Sequence, residues 1–540
     1  MPKKTCYLYW EKEKIPVPQG KTLQEVAKEI FPSWERIMAA QLEGEIVDLN
    51  TRVERDSKVK FFDFSHPEGR RTYLRSLLFV LSYAVEKTFP GRRLKVLYSL
   101  GEGLICEIEG VNISPEQLEQ IEEEMRNTIK EDLPFIREVI DWEEATAIYQ
   151  KRGRKDLVKL FRYWRTPAVT VYRLQDFYDH YYGPLVSSTG YLKNFGFVLV
   201  PPQFIIQFPT GEDLQRLPTY TFRPKLFATF QEAVRWAEIL AIENVGELNE
   251  AIARGEGREI ISIAEALHEK KIAQIADLIT QKKGTVHLVL IAGPSSSGKT
   301  TFARRLYIQL RVNGWHPITI SLDDYFRSRG EINEEDYEKP EALDLILFEE
   351  QIKALIRGEE VEIPRYNFIT GTREPRGTKT QLSPDGIIIV EGLHALNPQL
   401  GENIPGGEKF KIYVSAITQI NVDDHNRIST TDSRLIRRLV RDSQFRGSRG
   451  EGVFADWPRV REGEEKYIFP YQESADIMFN SSLIYELSIL RQYAEPLLRA
   501  ITPESPHYLE AYRLYAFLNH FMPLNPSFIP SNSILREFIG

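Results

Sequence analysis

The alternation of apolar and polar positions changes period several times along the chain. Near its start, Tyr7-Leu8-Tyr9-Trp10 and Lys14-Ile15-Pro16-Val17 read as a hairpin, residues 22–30 as a short helix, and Ile46-Val47 and Val59-Lys60-Phe61-Phe62 as later strands. Together they predict an α+β unit of ubiquitin-like size over residues 1–64. From 65 to about 225 the apolar residues recur at helical spacing between strand-like runs, with a helix over 73–89. A second helix is announced by Ser114-Pro115-Glu116-Gln117, in which Ser caps, Pro takes the first position and Gln completes a capping box. Strand-like runs 196–200 and 204–208 flank Pro201-Pro202. Residues 226–282 are almost continuously helix-like, over 230–241, 245–254 and 260–279, and read as a helical connector. Val286-His287-Leu288-Val289-Leu290-Ile291 then opens an alternation of apolar strands and helices that continues to about 500 and predicts a doubly wound parallel sheet. In the extension 501–540, Tyr508, Tyr512, Tyr515, Phe517 and Phe521 predict a packing helix rather than a ligand box. The expected fold class is α/β: a doubly wound parallel-sheet domain (283–500) preceded by two smaller α+β domains (1–64 and 65–225) and the connector.

Composition narrows the functional classes. A chain of 540 residues exceeds what one core supports, and 42% hydrophobic with 27% charged residues suits a folded protein throughout. The net charge of −8 argues against a broadly nucleic-acid-coating surface. Cys6 and Cys106 alone make neither a disulfide framework nor a four-ligand zinc site, which points to a reducing cytoplasm. No apolar run reaches the roughly 18 residues of a membrane span, and the first residues lack a signal-peptide core, so a cytoplasmic location without membrane contact is expected.

The chemistry begins at Gly293-Pro294-Ser295-Ser296-Ser297-Gly298-Lys299-Thr300, a G-x-x-x-x-G-K-T sequence with a buried strand before it and a helix from Thr301 after it. That context is the one a phosphate loop needs. Its glycines let backbone N–H groups wrap phosphates, the helix dipole assists, Lys299 reaches the terminal phosphates and Thr300 ligates Mg²⁺. The next strand delivers Asp323 and Asp324 at its carboxyl end, where a carboxylate can accept a hydroxyl proton; the alternative is an Asp capping a turn. Gly386-Ile387-Ile388-Ile389-Val390 ends in Glu391, a Walker B-like acid suited to Mg²⁺. The stretch 432–442 reads as a basic helix running into Arg446-Gly447-Ser448-Arg449-Gly450. It is either a solvated face or a set of guanidinium groups that close over transferring phosphate.

The P-loop, Ser321-Leu322-Asp323-Asp324-Tyr325-Phe326, Tyr337-Glu338-Lys339-Pro340, Ile363-Pro364-Arg365-Tyr366-Asn367-Phe368, Val390-Glu391-Gly392 and Arg437-Arg438-Leu439-Val440-Arg441-Asp442 occur in the order seen in the uridine kinase and phosphoribulokinase family, which residues 285–495 resemble. The resemblance implies Asp323 as catalytic base, with Lys299 and Arg441 assisting. It places the nucleotide on Gly293, Ser295, Ser296, Ser297, Gly298, Lys299, Thr300, Thr301 and Arg446. It assigns the acceptor to Asp323, Tyr325, Glu338, Tyr366, Phe368 and Arg438, and Mg²⁺ to Thr300 and Glu391. The donor implied is ATP or GTP. Glu338 stands where the family usually has Asp, Lys339 replaces a His, Ser448 falls at a position that is often Arg, and Gly371 falls where related kinases carry a base-contacting His, so the preferred base stays open.

The first half has a resemblance of its own. Residues 1–64 look like a TGS domain, and 65–225 are similar to the editing-type domain of threonyl-tRNA synthetases through Ala84-Val85-Glu86-Lys87-Thr88-Phe89-Pro90-Gly91 and Gly183-Pro184-Leu185-Val186-Ser187-Ser188-Thr189-Gly190. The four positions that carry His, His, Cys and His in that domain fall at Arg75, Phe79, Tyr181 and Leu185, none of which supplies imidazole or thiolate, so no editing is expected. His180, beside Asp179, reads as a surface residue of a Tyr-rich turn. The leading expectation is a kinase for the 5′-OH of a nucleoside such as uridine or cytidine. Two alternatives stay open: a sugar-phosphate or other metabolite kinase, and a nucleotide-regulated RNA-binding protein using residues 1–225 with Arg70-Arg71 and Lys151-Arg152-Gly153-Arg154-Lys155. Homo-oligomerisation is left open.

Overall fold

The computed structural model describes residues 5–164, 167–211, 213–328, 330–331, 337–367, 370–400 and 409–540. They form two compact units, one of residues 1–222, 244–247 and 421–427, the other of 223–243, 248–420 and 428–540.

In the first unit, β1 (Thr5–Trp10), β2 (Glu13–Pro18), α1 (Leu23–Ile30), β3 (Ile37–Leu42), β4 (Glu45–Val47) and β5 (Ser57–Asp63) build a sheet of order β2-β1-β5-β3-β4. Only the β1–β2, β3–β4 and β3–β5 pairings are antiparallel; β1 runs parallel to β5. Alternation puts Leu8, Val17 and Val59 on one face against Leu23 and Val26 of α1. Thr22 and Glu25 close a reciprocal capping box that satisfies two orphan N–H groups at the start of α1.

Helix α2 (Pro67–Thr88) begins ahead of the expected residue 73. The His66 ring accepts the Glu68 N–H (3.2 Å), and Pro67 needs no donor in the first turn, so this polar turn is helical without an apolar stripe. It packs with β6 (Leu94–Leu100), β7 (Gly103–Ile108), α3 (Pro115–Lys130), β8 (Ile136–Asp141), α4 (Trp142–Lys151), α5 (Lys155–Tyr163), β9 (Ala168–Leu174), β10 (Phe177–Asp179), β11 (Gly196–Val200) and β12 (Gln203–Gln207). The strands form sheets of order β11-β12-β7-β6 and β10-β9-β8. Ser114 and Gln117 make the expected capping box on α3.

The editing-like positions come together as packing. Phe79, Tyr181 and Leu185 are buried in one apolar core, with the Phe79 and Tyr181 rings 5.9 Å apart. Arg75 donates to the Tyr182 (3.0 Å) and Pro184 (3.2 Å) carbonyls. His180 is not a surface residue: it is buried, with Nδ1 2.7 Å from the Thr170 carbonyl, and desolvation pushes its pKa down to about 4. Arg154, part of the basic segment 151–155 that the RNA-binding alternative invokes, is also withdrawn from the surface. It is buried against Asp156 (2.8 Å), Asp179 (2.9 Å) and Asp423 (3.5 Å), and His425 Nδ1 lies 2.5 Å from Asp179.

The second unit begins with α6 (Pro224–Leu240), continues through most of α7 (Val245–Ala253) and α8 (Gly257–Thr280), and is centred on a parallel sheet. The remaining elements are β13 (Leu288–Ala292), α9 (Lys299–Val312), β14 (His316–Ser321), α10 (Leu345–Ile356), β15 (Val361–Ile363), β16 (Tyr366–Asn367), β17 (Thr372–Arg373), β18 (Thr378–Thr380), β19 (Gly386–Glu391), β20 (Lys409–Ser415), α11 (Thr430–Phe445), α12 (Gly450–Tyr467), β21 (Ile477–Asn480), α13 (Glu486–Arg499), α14 (Tyr508–Leu518) and the short α15 (Arg536–Ile539). The sheet order β14-β19-β13-β20-β21, parallel throughout, is the doubly wound arrangement expected. β13 is buried at every residue, as a strand covered on both faces must be. Its carboxyl end, beside those of β14 and β19, is where such a sheet places a ligand.

Candidate active site

The loop between β13 and α9 is held open by backbone demands that only its own residues meet. A Cβ on Gly293 would fall 2.1 Å from the Val414 carbonyl oxygen, and Gly298 has φ +83° at the N-cap of α9. Ser296 also takes a positive φ of 58°. Gly298 leads into α9, where the first-turn N–H groups of Lys299, Thr300 and Thr301 have no helical partner.

From below, α11 grips this loop. Arg434, Arg437, Arg438 and Arg441 recur at three- and four-residue spacing and so share one helix face. The solvated-face reading therefore fails, because Arg434 and Arg437 are fully buried. Arg434 Nε donates to the Ser295 carbonyl (3.1 Å), Arg437 to the Ser296 carbonyl (3.3 Å), and Arg438 to Ser295 Oγ (3.0 Å). The buried Glu464 of α12 takes the Ser295 N–H (2.9 Å) and pairs with Arg434 and with Arg461 (3.0 Å). Sequence reasoning missed Glu464, since nothing in α12 marks it as a partner of a loop 169 positions away. Asp442 gathers Arg441 (2.7 Å), Arg438 (3.3 Å) and Arg446 (3.7 Å) at the end of α11.

A cavity of about 770 Å³ opens over the loop, lined by Ser295, Ser296, Lys299, Thr300, Thr301 and Asp323 among others. Glu338, Tyr366, Glu391, Arg438, Arg441 and Arg446 line it too, so most of the sequence-predicted site meets in one space. Glu391 accepts from Thr300 Oγ1 (3.3 Å) and Ser321 Oγ (3.0 Å), and burial, reinforced by the Asp323 charge, pushes its pKa up to about 7. Burial also lowers the Lys299 ammonium, against the pull of Glu391 and Asp323. Glu338 is raised by burial, with Arg438 opposing.

Two expected contacts differ. Tyr325 does not reach the cavity: it is fully buried, its hydroxyl donates to Gln351 Oε1 (2.7 Å) and its ring packs edge-on against Phe348, because the three-residue period of the 3-10 turn after β14 puts it on the same buried side as Leu322 while Asp323 lines the cavity. Asp324 caps no turn of its own: its carboxylate accepts the N–H of the distant Tyr366 (3.1 Å) and so ties β16 to the end of β14. Phe368 lies outside the described residues. Phe326 and Tyr337, not singled out before, line the cavity with Tyr366; the Phe326 ring lies 5.6 Å from Tyr366 and 6.0 Å from Tyr337. Gly371 sits in the β16–β17 turn with φ +71°, a conformation that explains a glycine there without reference to a ligand.

Residues 288–485 match the family model described as Phosphoribulokinase / Uridine kinase family. The uridine kinase of Lactobacillus johnsonii is 32% identical over 197 residues, covering 35% of this chain and 84% of that protein. The threonine–tRNA ligase of Carboxydothermus hydrogenoformans is 29% identical over 215 residues, 39% of this chain and 34% of the ligase. This similarity belongs to the N-terminal half, and the chain spans about a third of the length of the ligases it matches. The solved "Structure of a Possible Uridine Kinase from Bacillus stearothermophilus" is 18% identical with a TM-score of 0.29, covering 39% of this chain and 98% of that one.

Proposed function

The chain belongs to the phosphoribulokinase/uridine kinase family, and from that premise we propose that it transfers the terminal phosphoryl group of ATP or GTP to the 5′-OH of a nucleoside such as uridine or cytidine. The observation that carries the reading is one cavity that joins Lys299 and Thr300 of the phosphate loop to Asp323, Glu338 and Arg438. Phosphoryl transfer asks the protein mainly to position groups and stabilise charge, and this cavity has the residues for both. Asp323, at the end of β14, accepts the proton of the attacking hydroxyl. Lys299 and Arg441 neutralise charge on the transferring group, while Arg446 contacts the donor phosphates. Glu338 and Arg438 hold the acceptor hydroxyls, and Tyr366 with Phe326 offers aromatic surface to a base. The hydroxyl of Thr300 and the carboxylate of Glu391 are hard oxygen donors that suit Mg²⁺, and a buried carboxylate pushed towards neutrality is one that a cation would return to its charged form. When bound there, Mg²⁺ would supply charge neutralisation for the phosphates.

A phosphorylated sugar as acceptor is the second reading. It is favoured by Arg459, which lines the cavity and acts electrostatically on Glu338. The RNA-binding reading loses one of its supports with the burial of Arg154. We further propose the division into TGS-like (1–64), editing-like (65–225), connector (226–282), kinase (283–500) and C-terminal (501–540) parts.

A panel of nucleosides, sugar phosphates and simple alcohols, read as acceptor-dependent ADP release, tests the assignment. A nucleoside is expected to stimulate turnover, and Lys299→Ala and Asp323→Asn to lower kcat at least about 100-fold. Saturation by a sugar phosphate alone would transfer the assignment to the second reading. Turnover stimulated by no acceptor and unaffected by either substitution would end the kinase proposal.

A further inference from the structure

The sequence leaves the role of the residues beyond α14 open, and Ser531, Asn532, Ser533, Arg536 and Glu537 line the same cavity as Lys299 and Asp323. The backbone of this segment is anchored. Ile534, Leu535 and Phe538 are fully buried, the Arg437 guanidinium lies 5.0 Å from the Phe538 ring, and the Ile534 methyl closes on Gly298 so that a Cβ there would meet it at 2.6 Å. Arg536 donates to the Ile529 carbonyl (2.7 Å) and fixes the turn from the other side.

On this fixed frame Glu537 directs its carboxylate at the start of α9. Its Oε2 accepts both the Thr301 N–H (3.0 Å) and the Thr301 hydroxyl (2.9 Å). The Thr301 N–H is one of the first-turn donors that α9 leaves without a helical partner, at the end of the helix where the dipole favours negative charge. In a phosphate loop, those same donors receive the phosphates of the nucleotide. The carboxylate of Glu537 and a nucleotide phosphate therefore need one donor and carry charge of one sign. Glu537 also acts electrostatically on Lys299 and Glu391, which places its charge within the site.

We propose that Glu537 is a resident carboxylate of the donor-nucleotide site, one that occupies the Thr301 amide until a nucleotide phosphate displaces it, so that residues 531–537 set donor affinity from within the cavity. The inference rests on the reading of the P-loop domain as a nucleotide-dependent kinase. Displacement needs only the Glu537 side chain to turn away. The backbone stays in place on Ile534, Leu535 and Phe538 and continues to wall the cavity.

Calorimetric titration of Mg·ATP into the full chain, without acceptor, tests this. Glu537→Gln keeps the size and a hydrogen-bonding oxygen but removes the charge, and is expected to bind about three- to thirty-fold tighter than the unsubstituted protein, the range associated with one anion at a helix N-terminus. Glu537→Ala, which removes both charge and hydrogen bond, is expected to tighten binding as well, and it carries the test if the amide variant does not fold. Both variants should show a larger rise in melting temperature on adding Mg·ATP. Binding by the unsubstituted protein with equal or weaker binding by the variants would overturn the role of Glu537 and leave the kinase reading intact. Binding by none of the three proteins, with GTP as well as ATP, would overturn both.

Discussion

His268, on α8, has its ring 5.6 Å from Trp236 and 5.2 Å from Phe479, and its Nε2 lies 3.1 Å from the Ser482 carbonyl. Burial, with the Arg305 charge, pushes its pKa down to about 3, whereas the unfolded chain titrates near the ordinary value of 6.5. Between those two pH values the unfolded state binds one more proton, so the contribution of His268 to stability is complete above 6.5 and is lost as the pH falls towards 3. Denaturant unfolding of the unsubstituted protein and of His268→Gln at several pH values is expected to show their stability difference moving against the unsubstituted protein by about 1.4 kcal/mol per unit between pH 6 and 4. At this scale the site was legible where chemistry dictates a residue type, as with Lys299, Asp323 and Glu391. It was not legible for Tyr325, because a tyrosine beside an aspartate reads alike whether its hydroxyl meets a ligand or Gln351. For the same reason His180 passed for a surface residue, since a local window of sequence carries no measure of burial.

Among the elements, the β13–α9 loop shows how tightly local conformation and packing are joined. Gly293 is required less for its φ than for the Val414 carbonyl, which a Cβ would meet at 2.1 Å. Because that obstacle is backbone of β20 rather than a flexible side chain, Gly293→Ala must displace the loop. It is expected to destabilise the protein by about 1–3 kcal/mol and to abolish measurable nucleotide binding, checked by chemical denaturation and by the same calorimetric titration. The strands and the caps were readable because their causes are local: alternation for β1, apolar runs for β13 and β19, Ser114 with Gln117 for α3. The start of α2 was missed because its first turn is polar; His66 and Pro67 were the signal that remained. The three- and four-residue spacing of the arginines on α11 was visible, but their depth was not, since a basic stripe in sequence does not say whether it faces water or a loop of carbonyls.

For the molecule as a whole, the contacts that matter most join residues far apart in the chain. In the first unit, Arg154 meets Asp156 and Asp179 together with Asp423 and His425 of the segment 421–427, all of them buried. One guanidinium serves three carboxylates whose burial leaves them little solvent screening. Arg154→Ala is therefore expected to cost about 3–5 kcal/mol, the scale of an uncompensated buried charge, read as a fall in the first-unit transition in thermal unfolding. The hydrophobic periods and the motifs by themselves determined the α/β class, the parallel sheet and the residues around the phosphate loop, because strand periodicity, caps and a phosphate-binding turn are encoded within a few adjacent positions. Only the tertiary structure decided that Arg434 and Glu464 hold the loop from beneath, that Arg154 is withdrawn into the core, and that Glu537 lies against Thr301. Those outcomes depend on which distant side chains burial leaves without water, a quantity set by the packing of the whole chain.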